Sequence, residues 1–216
     1  MAFEAYDDYE QSELVRQWLR QNGVSIIVGI VLGLLLIFGW QQWRHHRANN
    51  REQAATQYQA LQQAVAAGQD SRAEALTDGL LKDHPDSAYA VFASSERARR
   101  ELEAGHADKA LAALAWAEDH ADAGPLKSLT TLRLARVQLA TGKATDTLAT
   151  LKGIPATDYR GLVEELRGDA LVKLGRADEA RKSYQAALSA LDEAAPQRPT
   201  VQVKLDNLAV AGKQGA

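Results

Sequence analysis

The hydrophobic positions follow two different patterns along this chain of 216 residues. Residues 23–40 contain no charged side chain, whereas from residue 54 onward apolar residues recur every three or four positions, as on one face of a helix. Alanine and leucine dominate the second part and β-branched residues are few, which favours helices. We therefore predict an all-α protein with a single N-terminal transmembrane helix followed by a solenoid of helical hairpins.

The uncharged run is long enough to cross a bilayer. Its 18 residues cover about 27 Å as a helix, against a hydrocarbon core about 30 Å thick, and uncharged flanking residues extend it. Trp18 and Trp40 lie about 33 Å apart along such a helix, and Trp43 follows, where membrane interfaces favour indole rings. We predict an acidic N-terminal tail at 1–22 and a transmembrane anchor at 23–43.

The residues around the run argue against a cleaved signal peptide. Residues 1–22 carry five acids and only two bases, and the run ends in bulky aromatic residues that do not suit a cleavage site. Two arginines precede the span and three follow it, which slightly favours a cytoplasmic location for the C-terminal side. A large following domain can be translocated despite such a difference, so these charges leave the orientation open.

Ser25, Gly29 and Gly33 recur every four residues along the anchor. Small residues at this spacing let two membrane helices approach closely. We predict this ridge as the docking surface of the anchor, although glycine is also common in membrane helices that dock nothing.

A repeat follows the anchor. Gly68, Gly105, Gly142 and Gly175 are spaced by 37, 37 and 33 residues, and each lies between two helical segments. A glycine there accommodates the left-handed backbone of a tight turn between antiparallel helices. The predicted repeat domain spans 44–208, with repeats near 54–90, 91–127, 128–160 and 161–195, a capping helix near 198–208 and a flexible tail at 209–216.

The last repeat carries the sharpest signature. Gly168, Gly175, Ala180 and Tyr184 follow the spacing of a tetratricopeptide repeat, and Ala110 occupies the position of Ala180 in the second repeat. The third repeat departs from this signature in two ways. Thr147 replaces the alanine, and "GIP" at 153–155 is expected to shorten the second helix. No glycine or proline separates Trp40 from Gly68, so the anchor is expected to run straight into the first repeat helix.

The first helix of each pair lines the concave side of such a stack. Repeat phase predicts that nine residues on these helices line a binding groove. Arg99 and Arg136 share one repeat position, where they could bind a carboxylate, although charged residues on a solvated groove often bind nothing. The candidates are Tyr58, Gln62, Phe92, Ser95, Arg99, Leu132, Arg136, Glu165 and Asp169.

The charge of the repeat domain and its lack of reactive residues argue against several classes of function. Of 28 acidic and 25 basic residues, 23 of each follow residue 22, so the repeat domain is neutral and shows no nucleic-acid footprint. There is no cysteine, and none of the five histidines has a partner at the spacing of a metal site or a catalytic pair. We expect no enzyme, no metal and no cofactor.

Several stretches together resemble the YfgM family of ancillary Sec translocon subunits: "YEQSELVRQWLRQNG", "VGIVLGLLLIFGWQQW", the repeats and the closing "VKLDNLA". The resemblance covers nearly the whole chain. It implies a bacterial inner-membrane protein with a cytoplasmic N-terminus and a periplasmic repeat domain. It also implies association with the SecYEG channel and with the membrane-anchored periplasmic chaperone PpiD, in support of newly exported, nascent secretory proteins.

The favoured hypothesis is a non-enzymatic adaptor, anchored in a membrane complex by its helix, whose groove binds a chaperone or emerging chains. A self-assembling scaffold, or a repeat protein that sequesters a regulator and faces the cytoplasm, is the alternative that the near-balanced flanking charges leave open. A membrane-tethered hydrolase would need a pair of titratable groups that the sequence does not offer.

Overall fold

The computed structural model describes residues 4–214, without the side chains of 4–15, 17, 19, 26, 46, 47 and 209–214. This part of the chain is helical and contains no strand, which confirms the predicted all-α class. It forms two compact units, Met1–Glu52 and Gln53–Ala216, which are considered separately. The helices are α1 Glu4–Ala66, α2 Asp70–Asp83, α3 Ala88–Glu103, α4 Ala107–His120, α5 Pro125–Ala140, α6 Ala144–Leu151, α7 Arg160–Lys173, α8 Ala177–Ala190 and α9 Arg198–Gln214.

The first unit consists of the helical residues of α1 up to Glu52. From Arg20 onward α1 contains a window that is long and apolar enough to cross a membrane, and none of that window is buried against the described protein. Its large apolar side chains, such as Leu36 and Phe38, are mostly exposed. In water such a surface would be very unfavourable, and a lipid environment accounts for it. The part of α1 before residue 23, predicted as a tail, is helical from Glu4.

The second unit is a stack of helical hairpins. From α2 to α9 each helix packs against the next one along the chain, and α5 also contacts α7. The last part of α1 supplies Ala54, Leu61 and Ala64 to a core cluster that includes Ala73 of α2 and Ala90 of α3. This part of α1 is therefore the first helix of the first pair.

The four repeat glycines close the turns within the pairs. Gly68, Gly105, Gly142 and Gly175 all have positive φ, between 64° and 81°. An added Cβ at any of them would meet no described atom within 4 Å, so backbone conformation rather than space requires glycine there.

Helix pairing depends on two positions, seven residues before and nine residues after each of these glycines. In the fourth repeat they hold Gly168 on α7 and Tyr184 on α8, and a Cβ added to Gly168 would lie 2.4 Å from the tyrosine ring. In the other repeats the two positions are also buried, and their combined size stays similar because a small residue accompanies a larger one. The other pairs are Leu61 with Thr77, Ala98 with Leu114, and Ala135 with Leu151.

The third repeat keeps its geometry despite its irregular sequence. Thr147, which stands where the other repeats have alanine, is fully buried, and its hydroxyl donates to the carbonyl oxygens of Ala135 and Lys143 at 3.3 and 3.0 Å. The buried hydroxyl is therefore satisfied. As the "GIP" sequence suggested, α6 ends at Leu151 after eight residues, whereas α4 and α8 have 14.

The last helix covers the end of the stack. Val201 of α9 is fully buried in a cluster with Leu171 and Tyr184. Lys204 Nζ donates to Glu165 Oε1 and Asp169 Oδ2, both at 2.8 Å, and Tyr184 Oη donates to Asp169 Oδ1 at 2.8 Å. The helix continues to Gln214, six residues beyond the predicted end of the cap.

Burial and hydrogen bonds shift the pKa values of Tyr184 and Lys204 in this cluster. Burial raises the pKa of Tyr184, and the hydrogen bond to Asp169 raises it further. Burial alone would lower the pKa of Lys204, but its hydrogen bonds to Asp169 and Glu165 outweigh that effect and the pKa is raised. Both groups therefore hold their protons more firmly in the folded protein than in the unfolded chain.

Replacement of Gly168 by alanine should destabilise the repeat domain. The new methyl group would collide with a tyrosine ring that is itself buried and hydrogen-bonded, so the cost of overpacking should exceed the gain in helix propensity, for a net loss of about 1–2 kcal/mol. Thermal and urea unfolding of the detergent-solubilised protein, followed by circular dichroism at 222 nm, measures this.

Gly79→Ala is the matched control, because Gly79 lies inside α2 and an added Cβ would meet only Gln57 Oε1, at 3.8 Å. This variant should be stabilised by up to about 1 kcal/mol. In a double-mutant cycle, Tyr184→Leu should offset part of the Gly168→Ala loss, since repeats two and three combine alanine with leucine at these positions. Equal effects of the two glycine substitutions would contradict the interpretation that the two buried positions of each repeat compensate each other in size.

Lys204→Met should destabilise the C-terminal end by about 1–2 kcal/mol, because two carboxylates lose their cation in a partly buried site. Because the folded pKa of Lys204 is raised, its contribution is complete below the unfolded pKa of about 10.4 and is lost as the pH rises through the folded value. Melting curves between about pH 8 and pH 11.5 should therefore fall more steeply for the wild type than for Lys204→Met. Lys182→Met, at an exposed site on α8, should keep the wild-type slope.

Candidate functional site

A groove in the repeat unit brings together α1, α3, α4 and α5. Its volume is about 420 Å³. Five of the residues predicted from repeat phase line it, together with six others. The predicted ones are Tyr58, Phe92, Ser95, Arg99 and Arg136; the others are Glu96, Ala98, Leu102, Leu114, Arg133 and Val137.

Aromatic rings form one side of the groove. The ring centroids of Tyr58 and Phe92 are 6.0 Å apart, and Tyr89 lies 5.7 Å from Tyr58 and 6.4 Å from Phe92. Such tilted and edge-on contacts are favourable for aromatic rings. Leu102 extends the apolar surface to the rim, where 40% of it is exposed.

The arginines of the groove are not equivalent. Arg99 is held by Glu96, one turn earlier on α3, and by Glu103, one turn later. The hydrogen bond to Glu96 is the largest of the effects that raise its pKa, so this cation is permanent and already paired. Arg133 and Arg136 are exposed and make no hydrogen bond or ion pair with any residue that the structure describes.

Four of the predicted groove residues lie elsewhere. Gln62 is exposed but does not line the groove. Leu132 is 1% exposed and packs with Leu151 and Leu166 in the core, so its assignment as a ligand contact is wrong. Periodicity alone could not separate it from the groove, because it is adjacent to Arg133 on α5 and faces the neighbouring helices instead. Glu165 and Asp169 are occupied by Lys204 of α9 and lie outside this groove.

Sequence reasoning missed Arg133 and Leu102. A signal was available for Arg133, because it precedes Arg136 by three residues and the two therefore share a helix face. For Leu102 there was no such signal, since an apolar residue near a helix end is usually part of the core.

The small residues of the anchor have open space around them in the described structure. An added Cβ at Gly29 or Gly33 would meet no described atom within 4 Å, and Ser25 is exposed. Trp18, Trp40 and Trp43 are about half exposed, and the rings of the last two lie 5.4 Å apart. Docking through the ridge and interfacial anchoring by the tryptophans stay predictions.

Two of the described histidines make contacts with residues close to them in sequence. His106 Nδ1 lies 2.8 Å from Glu101 Oε2, and the His120 ring stacks on Trp116 at 4.0 Å. Within the described residues no group of three or more histidines and carboxylates is placed to hold a metal ion.

Comparison with known proteins agrees with this architecture. Residues 16–210 match the tetratricopeptide repeat-like domain family, so the chain belongs to that family. A protein of Haemophilus influenzae is 31% identical over 209 residues, which cover 96% of this chain and all of that protein. One of Escherichia coli K12 is 29% identical over 204 residues, 94% of this chain and 98% of that protein. One of Aggregatibacter actinomycetemcomitans is 30% identical, over 94% of this chain and all of that protein.

All three relatives carry the name ancillary SecYEG translocon subunit. The match runs through the apolar helix and the repeats together, which a repeat array alone would not produce. By sequence and architecture, this chain is a member of the ancillary SecYEG translocon subunit family, known as YfgM.

Proposed function

We propose that this protein is a non-enzymatic ancillary subunit of the Sec translocon, held in the bacterial inner membrane by α1. Its repeat domain faces the periplasm and binds a membrane-anchored periplasmic chaperone of the PpiD kind, emerging secretory proteins, or both. The names of its relatives support the association with SecYEG. The apolar segment of α1 supports the membrane anchor.

The groove is the observation that carries the adaptor role. It combines aromatic and aliphatic surface with two arginines, Arg133 and Arg136, that pair with none of the described residues, and binding there needs no catalytic group. Grooves of this volume hold a small ligand or a few residues of a peptide. A protein that is anchored beside a channel and holds a chaperone raises the local concentration of that chaperone, so even weak contacts are effective.

The orientation of the anchor can be tested because the chain has no cysteine. Gln185→Cys, exposed on α8, should react with a membrane-impermeant maleimide in cells whose inner membrane is intact. Gln11→Cys, on the other side of the span, should react only after lysis. The reverse pattern would place the repeats in the cytoplasm and overturn the export role.

The groove itself can be tested by photo-cross-linking in the native type of cell. A photoreactive amino acid at Leu102, on the exposed rim, should give adducts with a periplasmic chaperone, a translocon subunit or a secretory protein. The same amino acid at Ala115, which is exposed on α4 outside the groove, should give far fewer. Adducts from Leu102 only to other copies of this chain would support a self-assembling scaffold instead.

A further inference from the structure

The charge of the groove is concentrated on one helix. Its lining contains three arginines and one glutamate. Arg99 is paired with both Glu96 and Glu103 on its own helix, so this group of three residues on α3 adds no net positive charge. The unbalanced positive charge therefore lies on α5, at Arg133 and Arg136, which pair with no residue in the described part of the chain.

The two unpaired arginines are suited to carboxylates. They are three residues apart on α5, so their Cβ atoms are about 5–6 Å apart and the two cations repel each other. A guanidinium group binds a carboxylate through two parallel hydrogen bonds. An acidic ligand would satisfy both arginines and relieve their repulsion, whereas a basic one would increase it.

The remainder of the lining favours an apolar side chain beside the acid. Tyr58, Phe92 and Leu102 supply aromatic and aliphatic surface next to the arginines. Ser95 is also part of the lining and is 9% exposed.

We infer that the groove binds a short acidic segment of a resident partner protein, with carboxylates on Arg133 and Arg136 and an apolar side chain against Tyr58 and Phe92. This inference rests on the proposed adaptor function and specifies what its groove recognises. The volume admits only a few residues. Because the charge and the aromatic surface of the groove are fixed, the groove favours segments that combine acidic and apolar side chains. This suits a dedicated partner better than emerging chains, whose sequences vary.

The test uses the full-length protein in detergent micelles and a fluorescein-labelled peptide that alternates glutamate, phenylalanine and serine. By fluorescence anisotropy, replacement of every glutamate by glutamine should weaken binding by about tenfold or more, as expected for the loss of at least one charged hydrogen bond. Arg133→Gln/Arg136→Gln should bind both peptides equally weakly. Arg99→Gln should change the Kd less than about threefold, because Arg99 is already paired.

The control variant Arg160→Gln/Lys182→Gln makes the same change in net charge at exposed sites outside the groove, and it should bind the acidic peptide like the wild type. Raising the salt from about 50 mM to about 500 mM should weaken only the binding of the acidic peptide. Equal affinity for the two peptides, or an equal loss in the control variant, would overturn the inference. Both double variants change only exposed residues, and circular dichroism verifies that they fold.

The cross-link from Leu102 separates this inference from the proposed function. If Leu102 forms adducts but the two peptides bind alike, the adaptor function stands and selection of acidic segments is wrong. If Leu102 forms none, the adaptor function itself fails. If the main adduct is an emerging secretory protein, and Arg133→Gln/Arg136→Gln leaves its yield unchanged, a resident acidic partner is excluded.

Discussion

The contact between the two helices of each hairpin is the constraint on which the repeat domain depends. A helix pair without a disulfide keeps its spacing through the fit of its buried side chains, and two positions per repeat are buried in all four repeats. Gly168 and Tyr184 show the extreme form, in which the missing Cβ of one residue makes room for the ring of the other. In the other repeats the same two positions hold a small and a medium-sized residue, so that their combined volume is similar.

This constraint explains how the sequence varies while the stack persists. Thr147 replaces a repeat alanine because its hydroxyl finds two carbonyl oxygens inside the pair, so it adds volume without leaving a buried polar group unsatisfied. The short α6 is tolerated because Leu151 and Ile154 still reach the core of the third repeat. Regular packing on one side of each first helix leaves its other side available for function.

The groove is a consequence of that arrangement. Helices α3 and α5 bury one side, with Ala98, Leu132 and Ala135 in the core, and place Phe92, Arg99 and Arg136 along the groove. Toward the C-terminus the equivalent surface is already occupied, because α9 brings Lys204 onto Glu165 and Asp169. The chain therefore satisfies its acidic positions internally and leaves two basic ones exposed, which gives the open groove its sign of charge.

The sequence by itself determined the features that depend on composition and local period. The uncharged run of 23–40, the four glycines at turns and the all-α class follow from hydrophobicity, backbone freedom and helical repeat, and each needs only neighbouring residues to be recognised. Only the tertiary structure decided which of the residues that the repeat period places on the groove side are available to a ligand. Leu132 lies in the core, Arg99 is paired, and Arg133 has no partner among the described residues. Burial and ion pairing depend on how neighbouring helices are rotated toward one another, and the repeat period does not determine that rotation.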